Sequence, residues 1–362
     1  MFLGANQRRA FQACNPISYA LYMPANIRRK SDSSKKRRTG RNSFDSPELR
    51  FYSKRTTAHL IQRGETVSQT VSKQTIRKIA LSVSASVLML AAPATWAQTV
   101  TVAVAANFQG ALNQLIDAYA LAGLPYSGTS FTVTSGATGD FQTAIGTALS
   151  SPGGTTPYDL FFAADDTTPA ALRTSYSSVV QVPFRYAEGK LILWSKYGAN
   201  VSSSGSGGFP SPASYAYANG QVAIANPTTA PYGTAAQQVL TRVNGITYPS
   251  GSYDAKFTQY STIGTTYNAV NASTGATAYP NMGFVAKSQV CNGAGAVRSL
   301  TGSYFEYTPA TVNGNPPHDR LLQDAVAIRG RSGSSNAAVD AFIAYLASTD
   351  ARNIILNNCY VL

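Results

Sequence analysis

The stretch Thr99-Val-Thr-Val-Ala-Val-Ala-Ala-Asn-Phe108 decides the fold of this chain. Val100, Val102 and Val104 alternate within an apolar run, which predicts a buried strand. Asn107 then predicts a helix N-cap, because Asn is a favoured capping residue and an amphipathic helical pattern follows it. A strand that ends at a helix N-terminus directs free backbone N–H groups and a positive helix dipole to the carboxyl edge of the sheet. The stretch therefore predicts an α/β fold with an anion site that needs no charged side chain.

The formal charge of +13 lies in the N-terminal part of the chain. Residues 1–98 contain 17 Lys and Arg against 4 Asp and Glu, whereas residues 99–362 contain 12 of each. A basic protein suggests nucleic acid or an anionic membrane as a partner, but the neutral part of this chain does not. We therefore expect no nucleic-acid partner for residues 99–362.

Residues 71–97 have the organisation of a secretory signal peptide. A basic segment that ends at Lys78 precedes the apolar run 79–92, and small residues lead to Ala97. A membrane anchor is the alternative, but the apolar run is shorter than the roughly 20 residues that a membrane span needs. We expect export to the periplasm with cleavage after Ala97.

The segment 1–70 that precedes the signal peptide has no sustained periodicity. It contains the basic, Ser-rich run Lys30–Arg38, a composition typical of disorder. Val71-Ser-Lys-Gln resembles the start of an exported protein, and a GTG codon for Val can initiate translation. We interpret residues 1–70 as a mis-assigned start or a disordered basic leader, with a nucleic-acid-binding arm as the alternative.

The exported part contains few residues from which a catalytic or metal site could be built. Its cysteines are Cys291 and Cys359, an even number that permits a disulfide in an oxidising compartment, with two buried free thiols as the alternative. Its single histidine is His318. A His-based triad or a His/Cys zinc site therefore lacks the necessary residues. We expect no enzymatic activity, no cofactor and no direct ligands for a metal cation.

Three further strand–turn–helix units follow the first. Their turns lie at Ser135–Gly139, at Asn226–Gly233 and at Ser261–Thr266, and each provides hydroxyl or backbone N–H groups at a helix N-terminus. The strand 159–164 and the late strand 325–328 complete the alternation of strands and helices that is typical of a parallel sheet. The sequence therefore predicts several donor-bearing helix entries.

Two crossings of the chain between sheets predict two α/β lobes. We expect residues 98–183 plus 323–362 to form lobe 1 and residues 184–322 to form lobe 2, with a ligand cleft between them. The long segments 201–217 and 302–320 are interpreted as additions that say nothing about the ligand.

Seven short motifs, in this order and spacing, resemble the periplasmic molybdate-binding proteins, which are substrate-binding components of ABC importers. The motifs are Val104-Ala-Ala-Asn-Phe108, Ser135-Gly-Ala-Thr-Gly139, Asp159-Leu-Phe-Phe-Ala-Ala-Asp165, Gly189-Lys-Leu-Ile-Leu-Trp194, Asn226-Pro-Thr-Thr-Ala-Pro-Tyr-Gly233, Gly283-Phe-Val-Ala286 and Tyr360-Val-Leu362. The resemblance covers nearly all of residues 99–362. It implies the two-lobed type II periplasmic binding fold, with a monomer that binds molybdate or tungstate and delivers it to an inner-membrane permease.

The resemblance also implies a set of ligand-binding residues. The oxyanion would be held by Asn107, the backbone N–H of Ala106 or Asn107, the Thr138 hydroxyl, Tyr232 and the N–H of Ile263. Molybdate is fully deprotonated at neutral pH and requires only hydrogen-bond donors, which these groups supply.

Two other functions remain open from the residues. A phosphate- or sulfate-binding protein is one of them; hydrogenphosphate carries a proton and needs an acceptor, which Asp165 or Asp140 could provide. A secreted hydrolase with Ser135 or Thr138 as nucleophile is the other, although the chain lacks a Gly-x-Ser-x-Gly elbow.

Overall fold

The computed structural model describes residues 98–202, 208–212, 215–308 and 316–362. The leader 1–70 and the predicted signal peptide 71–97 lie outside the described residues. The elements in chain order are β1 (Thr99–Ala105), α1 (Gln109–Leu121), β2 (Ser130–Gly136), α2 (Thr138–Ser150), β3 (Leu160–Phe162), α3 (Thr167–Ser175), β4 (Phe184–Gly189), β5 (Leu191–Ser195), β6 (Val222–Ala225), α4 (Pro231–Asn244), β7 (Phe257–Tyr260), α5 (Ile263–Ala272), β8 (Met282–Ala286), β9 (Ser303–Tyr307), β10 (Leu321–Ala327), α6 (Asn336–Leu346) and α7 (Thr349–Asn357). None of the helices in these ranges is long and apolar enough to cross a membrane.

The first sheet has the strand order β2-β1-β3-β10-β4. β1 pairs in parallel with β2 and β3, whereas β10 is antiparallel to β3 and β4. The alternating valines of β1 are fully buried and pack, with α1, α6 and α7, on one face of this sheet, as their spacing predicts. Helices α2 and α3 cover the other face.

The N-cap prediction for Asn107 is wrong. Helix α1 begins at Gln109, and Phe108 occupies the N-cap position without a side-chain cap. The carboxamide of Asn107 instead donates to Gln323 Oε1 and to the Tyr360 hydroxyl, at 2.9 and 3.1 Å. Asn107 is therefore free of a capping role and belongs to the turn between β1 and α1.

The second sheet has the strand order β7-β6-β8-β5-β9. β6 is parallel to β7 and β8, and β5 is antiparallel to β8 and β9. The edge strand β9 falls within the segment 302–320 that was predicted to be an addition. It forms because Phe305 and Tyr307 pack against the aromatic core of this lobe.

The chain passes from the first sheet to the second at Gly189–Leu191. The predicted boundary at Phe184 is wrong, because β4 pairs with β10 along its length and so belongs to lobe 1. The return crossing lies between Tyr307 and Leu321, just before the predicted residue 323, since all of β10 is in the first sheet.

A disulfide between Cys291 and Cys359 forms a third covalent link between the lobes, with a Cα–Cα distance of 5.8 Å. Cys291 follows β8 of lobe 2, and Cys359 follows α7 of lobe 1. Two residues further on, Val361 forms a β-bridge with Glu188, near the end of β4. The disulfide therefore lies beside the first crossing.

Candidate functional site

Four element ends from the two lobes meet around one small cavity. Lobe 1 contributes the turn after β1 and the start of α2, and lobe 2 contributes the starts of α4 and α5. No charged side chain lines this cavity among the described residues. Its lining consists of Ala105, Ala106, Asn107, Gly136, Ala137, Thr138, Ala164, Ala230, Pro231, Tyr232 and Ile263.

The turn after β1 places Asn107 in the lining of the cavity with its backbone N–H unpaired among the described residues. Ala106 N donates to Gly136 O at 3.0 Å, and Phe108 N donates to Ala105 O at 2.9 Å. The N–H between them, that of Asn107, has no acceptor among the described residues. The tight turn thus provides acceptors for the N–H groups of Ala106 and Phe108 and leaves the N–H of Asn107 as a donor for a ligand.

Thr138 provides two donors from a single position. It is the first residue of α2, so its N–H has no intrahelical acceptor. Its Oγ1 accepts a 2.9 Å hydrogen bond from Ala164 N, which fixes the side chain and leaves the hydroxyl proton available. Thr138 is also almost completely buried, which strengthens any hydrogen bond that it makes to an anion.

Lobe 2 presents two helix N-termini to the same cavity. Pro231 is the first residue of α4, a position that suits proline, and Tyr232 follows it in the first turn. Ile263 is the first residue of α5, whose start is fixed by a capping box between Thr262 and Thr265. The N–H groups of Tyr232 and Ile263 therefore lack intrahelical acceptors and lie at positive dipole ends.

A buried hydrogen-bonded network lies behind the cavity and connects the lobes. Gln323 of β10 accepts from Asn107 Nδ2 and from the Tyr186 hydroxyl, each at 2.9 Å. Its Nε2 donates to the Tyr232 hydroxyl of lobe 2 at 3.2 Å. The Tyr360 hydroxyl donates to Asn107 O at 2.6 Å. The Tyr232 hydroxyl therefore belongs to this network, and Tyr232 also lines the cavity.

The tyrosines of this network remain neutral. Burial raises the pKa of Tyr232 well above its ordinary value, and the neighbouring Tyr360 hydroxyl adds to the shift, while hydrogen bonds from Gln323 and Asn107 oppose it. Burial likewise raises the pKa of Tyr186 and of Tyr360. No phenolate charge therefore forms near the cavity at neutral pH.

The structure brings all five predicted residues to one cavity: Ala106, Asn107, Thr138, Tyr232 and Ile263. Their role in binding stays a prediction. Gln323 and Tyr186, which lie in the hydrogen-bonded network behind the cavity, were missed. The signal for Gln323 was present, because it is a polar residue within the otherwise apolar strand Leu321–Ala327.

The carboxylates considered as acceptors for a protonated anion do not line the cavity. Asp165 accepts from the backbone and hydroxyl of Thr168 at 2.8 and 3.0 Å, and so stabilises the start of α3. Burial raises its pKa, whereas these two hydrogen bonds lower it. Asp140 is exposed in the first turn of α2.

The hydrolase alternative requires a histidine beside the nucleophile, and the described residues that line the cavity include none. His318 is buried elsewhere, with Nδ1 2.6 Å from Asp319 O and Nε2 3.4 Å from Tyr307 O. Ser135 is an exposed residue of β2 and does not line the cavity. Thr138, the other proposed nucleophile, does line the cavity, but His318 does not.

Comparison with known proteins agrees with this architecture. Residues 100–360 match the sequence-family model of the bacterial extracellular solute-binding proteins. The chain belongs to this family. It is 31% identical to the molybdate-binding protein ModA of Azotobacter vinelandii, over 77% of this chain and 95% of the relative.

Two further relatives are similar to this solute-binding protein. The molybdate-binding protein ModA of Rhodobacter capsulatus is 30% identical over 80% of this chain and 97% of its own length. The solved structure of the periplasmic molybdate-binding protein of Azotobacter vinelandii superimposes with a TM-score of 0.57 and 28% identity, over 73% of this chain and 99% of that chain. The two-lobed type II periplasmic binding fold predicted for the chain is thus confirmed.

Proposed function

We propose that this protein binds molybdate outside the cytoplasm and delivers it to the permease of an ABC importer. The observation that carries the proposal is the set of neutral donors that converge on one uncharged cavity from both lobes. The backbone N–H groups of Asn107, Thr138, Tyr232 and Ile263, with the Thr138 hydroxyl, would hold the oxyanion. The molybdate-binding relatives, similar over nearly their whole length, support the same ligand.

The donor set is sufficient for useful affinity. A hydrogen bond to a charged group contributes about 1.5–3 kcal/mol, so five donors contribute roughly 7–15 kcal/mol before the cost of association. Because turns and helix starts already fix these N–H groups, little ordering cost is added. The upper part of this range supports a Kd in the micromolar range or below.

Phosphate is the less favoured ligand because the cavity lining has no carboxylate to accept its proton. Asp165 is engaged at the start of α3, and Asp140 is exposed. Tungstate has the same charge and almost the same size as molybdate, and we propose that it binds equally well.

A thermal-shift and calorimetric panel tests the ligand. Molybdate and tungstate should raise the Tm of the purified protein and give heats of binding at micromolar concentration. Sulfate should give a smaller shift and phosphate none. A larger shift with phosphate than with molybdate would refute the proposed ligand.

We further propose that the mature protein is a periplasmic monomer that begins at Gln98, has no enzymatic activity and needs no cofactor. Intact-mass analysis of exported material should give a chain that starts there. A mature chain that retains residues 30–38 would contradict this.

A further inference from the structure

The side chain of Gln323 links the two residues that approach the cavity from opposite lobes. It is completely buried in β10. Its Oε1 accepts from Asn107 Nδ2 of lobe 1, and its Nε2 donates to the Tyr232 hydroxyl of lobe 2. Gln323 itself does not line the cavity. Any effect that it has on a ligand must therefore pass through its neighbours.

The carboxamide of Asn107 is held from two sides by the protein. It lies 2.9 Å from the Gln323 carboxamide and 3.1 Å from the Tyr360 hydroxyl. A buried amide that loses such a partner is left with an unsatisfied polar group. Gln323 therefore fixes the side chain of a residue that lines the cavity.

A second set of contacts fixes the backbone of Asn107. Its carbonyl oxygen accepts from the Tyr360 hydroxyl at 2.6 Å and from Ser288 Oγ at 3.0 Å. The side chain and the backbone of Asn107 are therefore held together, and the position of its N–H group depends on both.

The contact between Gln323 and Tyr232 is built into the first crossing of the chain. A Cβ atom on Gly189 would lie 2.0 Å from the Tyr232 hydroxyl and 2.4 Å from Gln323 Nε2. Only glycine at this position lets the two lobes bring these side chains together. The hydrogen bond between the lobes thus lies at the first crossing and depends on glycine at position 189.

We propose that Gln323 is a positioning residue that holds Asn107 in the orientation that binds the oxyanion. The proposal rests on the proposed function, since it concerns the same cavity. It makes Gln323 a determinant of affinity without contact to the ligand. Its effect should disappear when Asn107 has no carboxamide to orient.

A double-mutant cycle with molybdate and calorimetry tests this coupling. Gln323→Leu should weaken binding by about 10- to 150-fold, equivalent to one hydrogen bond to a charged group. In an Asn107→Ala background the same substitution should change the Kd by less than twofold. The matched control is Gln221→Leu, because Gln221 is also buried and bonded to a tyrosine and an asparagine, but lies within lobe 2. It should leave the Kd unchanged.

A spectroscopic measurement separates positioning from a general structural effect. In ¹⁵N-labelled protein, the side-chain NH₂ signals of Asn107 and Gln323 should both shift on saturation with molybdate, and that of Gln221 should not. Equal effects of Gln323→Leu in the wild-type and Asn107→Ala backgrounds, or unmoved NH₂ signals, would overturn the proposal. Failure of the wild-type protein to bind molybdate would instead overturn the proposed function, so the two failures are distinct.

Discussion

Replacement of Thr138 by Val tests the two roles of one atom, Thr138 Oγ1, in ligand binding and in the stability of the fold. The side chain keeps nearly the same shape, but the cavity loses the hydroxyl donor, and Ala164 N loses its 2.9 Å acceptor. Loss of one hydrogen bond to a charged ligand should cost about 1.5–3 kcal/mol, or roughly 10- to 150-fold in Kd. The unsatisfied Ala164 N–H should cost about 1–3 kcal/mol of folding free energy in the ligand-free protein. The two effects should therefore appear in different measurements.

Calorimetry with molybdate measures the first effect, and the Tm of the ligand-free protein measures the second. At about 2–4 °C per kcal/mol, the Tm of Thr138→Val should fall by several degrees. Thr138→Ser keeps the hydroxyl and is the matched control, with affinity expected within a few-fold of the wild type. A Thr138→Val protein that binds molybdate within threefold of the wild type would show that the hydroxyl does not contact the ligand.

Two predictions concern stability. Replacement of Cys291 and Cys359 by Ser removes a disulfide between residues 68 positions apart. The chain-entropy model gives such a bond about 4 kcal/mol of stabilisation, so the Tm should fall by roughly 10 °C. Labelling of two thiols in the unreduced wild-type protein would contradict the bond. Burial lowers the pKa of His318, although hydrogen bonds to Asp319 O and Tyr307 O oppose this. Since the depressed pKa favours the neutral form, its stabilisation is present above about pH 6.5 and is lost as the pH falls below that. The free energy of unfolding, measured with urea, should be lower at pH 5 than at pH 7.5, and this difference should be smaller in His318→Gln. An equal difference in the two proteins would refute the role of His318.

The sequence predicted the parts of the site that depend on local patterns. The N-terminal regions of α2, α4 and α5 follow from an apolar strand, a small-residue or Pro-containing turn and a helical pattern, so Thr138, Tyr232 and Ile263 could be named from spacing and resemblance. Asn107 was correctly expected at the cavity but given the wrong local role. Its partner Gln323 is 216 positions away, and local capping preferences contain no information about so distant a contact.

The errors at the lobe boundary have a similar origin. β4 and β5 are separated by a single residue, Lys190, and their apolar patterns read as one continuous element. Only the pairing of β4 with β10 assigns β4 to lobe 1. β4 and β10 are more than 100 positions apart in the sequence, so their pairing is a tertiary contact that local patterns do not reveal. The sequence therefore indicated the region of the crossing but not its exact residue.

The links between the lobes indicate which contacts must break for a ligand to enter. Near β4 and β5 the connections are covalent: the first crossing passes through Gly189, and the disulfide lies beside it, where Lys287 N donates to Lys190 O at 2.9 Å. Beside the cavity the lobes are joined by a hydrogen bond from Gly139 N to Thr229 O at 2.9 Å, whereas the bond from Gln323 to Tyr232 lies at the first crossing, against Gly189. Separation at the cavity therefore breaks no covalent bond, while motion beside the first crossing is restrained by two chain connections and the disulfide. An anion that accepts hydrogen bonds from the helix N-termini of both lobes would join the lobes again at the cavity. The approach of the two lobes at the cavity should therefore depend on the ligand.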